Sequence, residues 1–325
     1  MSVNQKALKI IREMIERKED LAIGVERAAN GATIIDAGIG ARGGYQAGKL
    51  ITEVCMGGLG TASIGQATYG PFYPKGLTPP VTLPTIFVAT DFPSIALFGA
   101  QFAGWRISLG KYFAMGSGPA RALSLKPKEM YAKIEYQDSS DSAVIVLETT
   151  QKPPGEVLEL IAKECGVSTE KLCAVLVPTS SLAGSIQISG RIVETGLHKL
   201  SEVGFDPRKV LYGSGYAPIA PIHPKFTQAM GRTNDMLLYG GATFFTVEYE
   251  DDEALRKIVE AVPSSKSRDY GKPFAEIFKA ASHDFYKVDP ALFAPASIWV
   301  NNQKTGRTFS AGSVNPEVIG QSIET

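Results

Sequence analysis

Few residues of this sequence carry obvious chemistry, and three of them stand together. Arg191, Glu194 and His198 lie at i, i+3 and i+7 in the run GRIVETGLHKL. In a helix that spacing makes them neighbours on one side, while Val193, Leu197 and Leu200 form an apolar stripe on another. A carboxylate beside a guanidinium can take a proton from water and stabilise a developing oxyanion. The same spacing equally describes a solvated ion pair, worth on the order of a few tenths of a kcal/mol. A second candidate is Gly38-Ile39-Gly40-Ala41-Arg42-Gly43, a G-x-G-x-x-G between an apolar strand and a helix, the context of a dinucleotide-binding loop. No Asp or Glu lies between Glu53 and Asp91 to hold a ribose, so a tight turn and close packing fit it better. A third is Gly116-Ser117-Gly118-Pro119-Ala120-Arg121, whose N–H groups and guanidinium suit a phosphate or carboxylate. A Gly-Pro turn opening a helix is its plainer reading. His198, His223 and His283 are scattered and have no zinc-site spacing, so no metal site is expected. There is no G-x-S-x-G elbow, and Cys55 sits among apolar residues as a packed thiol does.

The elements that position these residues follow from periodicity. Residues 172–177 read as a buried strand, 178–189 as a loop of small residues, and 190–203 as a helix ended by Gly204. Open α/β sheets bind ligands outside the carboxyl ends of their strands, beside the start of the next helix, where Arg191 and Glu194 fall. Upstream, 3–18 reads as an amphipathic helix, Asn30-Gly31 as a turn into a strand at 32–35, and 45–55 as a helix. Further strands are expected at 86–89, 143–147 and 242–247, and helices at 156–165 and 252–262. Residues 70–84 hold five prolines and read as an irregular surface segment, a lid or a long connection. The alternation predicts an α/β protein, with two lobes divided near residue 150.

Composition narrows the partners. The chain has 325 residues, 44% of them hydrophobic, with 33 Lys plus Arg against 33 Asp plus Glu. That balance favours a small-molecule ligand over nucleic acid, and no repeat or coiled-coil seam suggests a pure interaction protein. Three cysteines without a C-x-x-C pair suit a reducing cytoplasm. The N-terminal run does not read as a signal peptide, and no stretch of about 18 apolar residues predicts a membrane span.

Several longer stretches resemble one family. Residues 185–194 (SIQISGRIVE), 111–121 (KYFAMGSGPAR), 267–274 (SRDYGKPF), and 284–290 (DFYKVDP) with 293–295 are similar to the signatures of the methenyltetrahydromethanopterin cyclohydrolases. Shorter echoes at 54–59, 103–105 and 233–235 keep the same order, so the resemblance covers nearly the whole chain. It implies two α/β lobes with a substrate pocket between them, in a cytoplasmic homotrimer without metal or other cofactor. It implies hydrolysis of 5,10-methenyltetrahydromethanopterin to the 5-formyl compound, a step found in methanogenesis and in formaldehyde oxidation. Arg191 and Glu194 occupy the positions of the family's catalytic pair. A long anionic substrate tail directs attention to Gly116, Ser117, Gly118 and Arg121, and then to Arg268, while Tyr286 or Phe285 are candidates to face the pterin ring. Rival readings are a pterin-binding homologue without activity and a dehydrogenase using Gly38 to Gly43.

Overall fold

A computed structural model describes residues 1–70 and 80–324. In chain order the strands are β1 (Gly24–Arg27), β2 (Thr33–Asp36), β3 (Gly60–Tyr69), β4 (Val81–Thr90), β5 (Trp105–Leu109) and β6 (Tyr112–Ser117). They continue as β7 (Ala143–Glu148), β8 (Leu172–Leu176), β9 (Val210–Pro218), β10 (Ala242–Val247), β11 (Ser297–Asn302) and β12 (Thr308–Gly312). These form two six-stranded sheets, β1-β2-β8-β7-β6-β5 and β12-β11-β10-β9-β4-β3. The fold is α/β, in two compact units: Met1–Ala62 with Ser94–Gln187, and Ser63–Pro93 with Ile188–Thr325. A single division near residue 150 does not describe them. Parallel pairing of β8 with both β2 and β7 keeps 151–187 in the first unit, and β4 pairs with β9 in the second.

In the first unit the alternation of strand side chains builds two cores. Ile35, Val144, Val146, Cys173 and Val175 meet Ala7, Ile11 and Met14 of the helix Val3–Glu16, and Leu50, Ile51 and Val54 of the helix Tyr45–Cys55. The alternate residues Ile34, Ile145, Leu147, Leu172 and Leu176 meet Val157, Leu158 and Ile161 of the helix Gly155–Cys165. Each such side chain, fully buried, contributes about 1.5–3 kcal/mol. The expected punctuation is present: Gly31 (φ +87°) turns β1 into β2, and Gly166 (φ +68°) caps the helix before it.

In the second unit the helix Ile192–Glu202 packs on β9 and β10, and the helix Asp252–Glu260 on β11 and β12. Beneath them lie Phe245, Val247, Ile298 and Val300, all fully buried. The alternate residues turn to the opposite face, where Phe87, Tyr212, Phe244 and Trp299 are 39–51% exposed. The helices Phe226–Gly240, Phe274–Ala280 and Pro316–Glu324 enclose a further core with Tyr69, Leu83, Tyr239 and Phe274. Of the proline-rich segment, residues 71–79 lie outside the described residues, while 81–84 belong to β4. Pro84 fits there without breaking the ladder, its carbonyl accepting from Ile219 N–H.

Candidate active site

The pair Arg191–Glu194 is built by a junction between two helices. Residues 178–189 are not the loop their composition predicts; Leu182–Ser189 is a helix. Ser181 caps it by accepting the Gly184 N–H at 3.0 Å, a local signal present in the sequence. Most of that helix is buried on all sides, so it lacks the amphipathic stripe by which helices are recognised. Gly190 and Arg191 form the junction, and Arg191 occupies the cap position of Ile192–Glu202 with φ −82° and ψ 1°. Its carbonyl receives Thr195 N–H at 2.8 Å and the Thr195 hydroxyl at 3.1 Å. Ser189 anchors the junction by donating to the Pro218 carbonyl at 2.7 Å. Ile192, Val193, Leu197 and Leu200 are fully buried beneath the helix.

Arg191 Nη1 stands 3.8 Å from Glu194 Oε2, with only 11% and 8% of the two side chains exposed. This is therefore not the solvated pair that spacing alone describes. Two opposite charges drawn out of water lose several kcal/mol of hydration each and attract one another more strongly than they would in solvent. A carboxylate so placed can accept a proton from a bound water, and the guanidinium can hold it and donate to a forming oxyanion. His198, the third member of the spacing, sits instead beside Glu202. Its Nδ1 is 3.9 Å from that carboxylate, which also binds Lys199 Nζ at 3.0 Å.

The glycine-rich candidates are occupied from within. Asp36, at the end of β2, accepts four N–H groups, from Gly38 (3.0 Å), Ile39 (2.7 Å), Gly40 (2.7 Å) and Ala41 (3.2 Å). Burial raises its pKa, but these four bonds outweigh that and hold it below the usual carboxylate value. The loop thus wraps the protein's own carboxylate, not a cofactor phosphate. Gly38 is needed because a Cβ there would lie 2.4 Å from Ser181 Cβ.

Arg121, expected to hold an anion, is likewise internal. Fully buried, it donates to the carbonyls of Lys126 (2.8 Å), Phe98 (3.1 Å) and Ala100 (3.2 Å) and lies against the Phe102 and Tyr131 rings. Gly116 and Ser117 belong to β6, and Gly118 N–H is bonded to the Ala100 carbonyl at 2.9 Å. The helix that follows, Arg121–Ser124, is a single turn. Arg268 is 76% exposed on its side chain and lines an open groove of about 520 Å³ with Lys272 and Lys287. Tyr286 is 94% exposed with its ring in solvent, whereas Phe285 stacks among Phe274, Phe278 and Phe293. All three cysteines are buried and unoxidised, Cys55 lying 3.7 Å from the Ser117 hydroxyl, and burial pushes the thiols of Cys165 and Cys173 up to about 12. Among the described residues no group of three or more His, Cys, Asp or Glu is placed to hold a metal ion, and no helix is long and apolar enough to cross a membrane.

Two α/β units, the second holding a buried Arg–Glu pair at a helix start, define a class: an α/β protein of two six-stranded sheets. The particular family follows from comparison. Residues 2–323 match the family model described as Cyclohydrolase (MCH), and the chain belongs to that family. It is 49% identical to the methenyltetrahydromethanopterin cyclohydrolase of Methanocaldococcus jannaschii over 324 residues, 99% of this chain and 98% of the relative. The enzymes of the same name from Methanothermobacter thermautotrophicus and Methanospirillum hungatei are 47% and 48% identical, each covering 99% of both chains.

Proposed function

We propose that this chain catalyses the reversible hydrolysis of 5,10-methenyltetrahydromethanopterin to 5-formyltetrahydromethanopterin. The observation that carries the reading is the buried Arg191–Glu194 pair, in a chain that matches the cyclohydrolase family along almost its full length. The methenyl carbon lies between two nitrogens that share a positive charge, so it is electrophilic before any catalyst acts. Glu194 takes a proton as water adds to that carbon. The adduct then collapses: its hydroxyl loses a proton to become the formyl oxygen, the bond from carbon to one nitrogen breaks, Glu194 returns its own proton to that nitrogen, and the formyl group stays on N5. One proton is released overall. Arg191 holds the carboxylate and donates to the developing oxygen. The scheme consumes water alone and calls for no metal or redox cofactor.

The test is loss of the methenyl chromophore on adding purified protein, with a metal chelator present, beside Glu194→Gln. Rapid hydrolysis by the wild type and near-complete loss in a folded Glu194→Gln supports the assignment. Absence of acceleration by folded wild type points to a pterin-binding homologue, and an active Glu194→Gln refutes the base. For an anionic substrate tail, the exposed groove in which Arg268, Lys272 and Lys287 outnumber Asp269 and Glu276 is more accessible than the buried Arg121.

A homotrimer is supported by the second sheet's open face. Phe87, Tyr212, Phe244 and Trp299 project there among Ala89, Ser214, Thr246 and Asn301, with the exposed Asp91 at the edge of the patch. Aromatic-rich, charge-poor surface of this kind typifies the cores of permanent interfaces between like chains. Light scattering on wild type and on Phe244→Glu/Trp299→Arg should give a trimer and a smaller species. A wild-type monomer, or an unchanged mass in the variant, would remove this reading.

A further inference from the structure

The helix that carries the pair rests on glycines. A Cβ added at Gly213 in β9 would lie 3.0 Å from Val193 Cγ1 and 3.2 and 3.3 Å from atoms of the Phe245 ring. One at Gly215 would lie 3.2 Å from Val193 Cγ2 and 2.6 Å from the Ala242 carbonyl oxygen. From the helix side, a Cβ at Gly196 would meet Thr243 Cγ2 at 2.9 Å, and one at Gly241 would meet Ile192 Cδ1 at 2.2 Å. Ile192 and Val193 stand between Arg191 and Glu194 in sequence, and both are fully buried. Val193 is β-branched and has little rotamer freedom in a helix, so it cannot turn away from an intruding methyl group. Any lift at Val193 is passed to its neighbours on either side.

We propose that Gly213 is a positioning residue: its missing side chain sets how deeply Val193 sinks, and hence where Arg191 and Glu194 stand above the sheet. The inference rests on the reading of those two as the catalytic pair. Gly215 serves the same seat but is a poor probe, because a methyl group there strikes the backbone of β10. At Gly213 every close neighbour is a side chain, so the helix yields while the sheet keeps its ladder. A displacement of about 1 Å in a catalytic group costs on the order of 10²-fold in rate, so the few tenths of an ångström that the Gly213 contact demands cost on the order of several-fold. The role therefore belongs in kcat more than in KM.

The experiment compares Gly213→Ala, Gly213→Ala/Val193→Ala, Val193→Ile and Glu194→Gln with wild type, measuring kcat, KM and melting temperature. Gly213→Ala should stay folded and lose about three- to tenfold in kcat with KM nearly unchanged. Deleting both Val193 methyl groups in the double variant should return most of the rate, although it adds a cavity and lowers stability. A purely structural role would lower the melting temperature further and rescue nothing. Val193→Ile crowds the same contact from the helix side, and decides the matter if Gly213→Ala does not fold. Wild-type kcat in Gly213→Ala, or in Val193→Ile where that variant decides, overturns the proposal, as does a loss that Val193→Ala fails to reverse. An active Glu194→Gln fails the catalytic reading instead.

Discussion

Asp235 should make this protein less stable as pH rises from about 4 to 7, the reverse of what a paired carboxylate does. It is 1% exposed, in the helix Phe226–Gly240, and ties two other helices to it by accepting the Ser322 hydroxyl at 2.6 Å and the Phe274 N–H at 2.8 Å. Burial raises its pKa, the two hydrogen bonds pull it back, and the charge of Glu276 adds to the rise. The result is about 7, against an ordinary 3.8. Because the folded state holds the proton more tightly, its contribution is complete below about pH 4. It then falls by about 1.4 kcal/mol per pH unit until the folded group ionises near 7. Between pH 5 and pH 8 the loss is about 3 kcal/mol. Asp235→Asn stays neutral throughout, can accept the Phe274 N–H, and can donate to Ser322 Oγ. Urea denaturation of both proteins at pH 5 and pH 8 isolates the group, since other titrations are common to the two. The stability of Asp235→Asn relative to wild type should be about 3 kcal/mol more favourable at pH 8 than at pH 5. An equal difference at both pH values would refute the argument.

Asp36→Asn should cost about 2–4 kcal/mol in chemical denaturation, because an amide presents its own N–H groups to donors that now meet a carboxylate. Arg121→Met should cost about 3–5 kcal/mol by removing a buried donor from the carbonyls of Lys126, Phe98 and Ala100, of which the last keeps the Gly118 N–H, while the folded fraction keeps its KM. A raised KM with stability intact would restore Arg121 as a substrate ligand. Arg191→Ala should lose about 3–5 kcal/mol by removing the buried cation that faces the Glu194 charge, whereas Arg191→Met/Glu194→Leu should unfold within about 1 kcal/mol of wild type or later. Both should be inactive; a double variant as unstable as the single one would mark the pair as structural.

The elements read best from sequence are those with a sharp period and a sharp stop. The helix Tyr45–Cys55 and strand β10 have the expected bounds, and Gly166 ends its helix in the left-handed conformation. The helix Leu182–Ser189 is hidden because its small residues are buried on nearly every side, leaving no polar face to mark it. Strand β3 escapes notice because its burial does not alternate cleanly, and the start of β4 because prolines stand there. The position and type of the Arg191–Glu194 pair are legible, but its burial is not. Burial depends on how strands remote in sequence pack beneath one helix turn. The unit boundary is illegible for the same reason: β3 and β4 enter the second sheet from the first third of the chain.

Two glycine-rich runs match ligand-binding patterns and serve the protein's own interior, while a pair that matches only a surface pattern lies buried. The physics is common to both outcomes. A cup of N–H groups stabilises any anion of the right size, so the motif around Asp36 records a resident carboxylate as readily as a bound phosphate. For Arg191 and Glu194 the energetics run the other way. Burying opposite charges that apolar residues could replace at no loss adds little to stability, so their presence calls for another explanation. The proposed chemistry would supply one: a pair whose desolvation is met during folding needs no reorganisation when water attacks a cationic carbon, and in that proposal the close contact of Gly213 with Val193 sets where the pair stands.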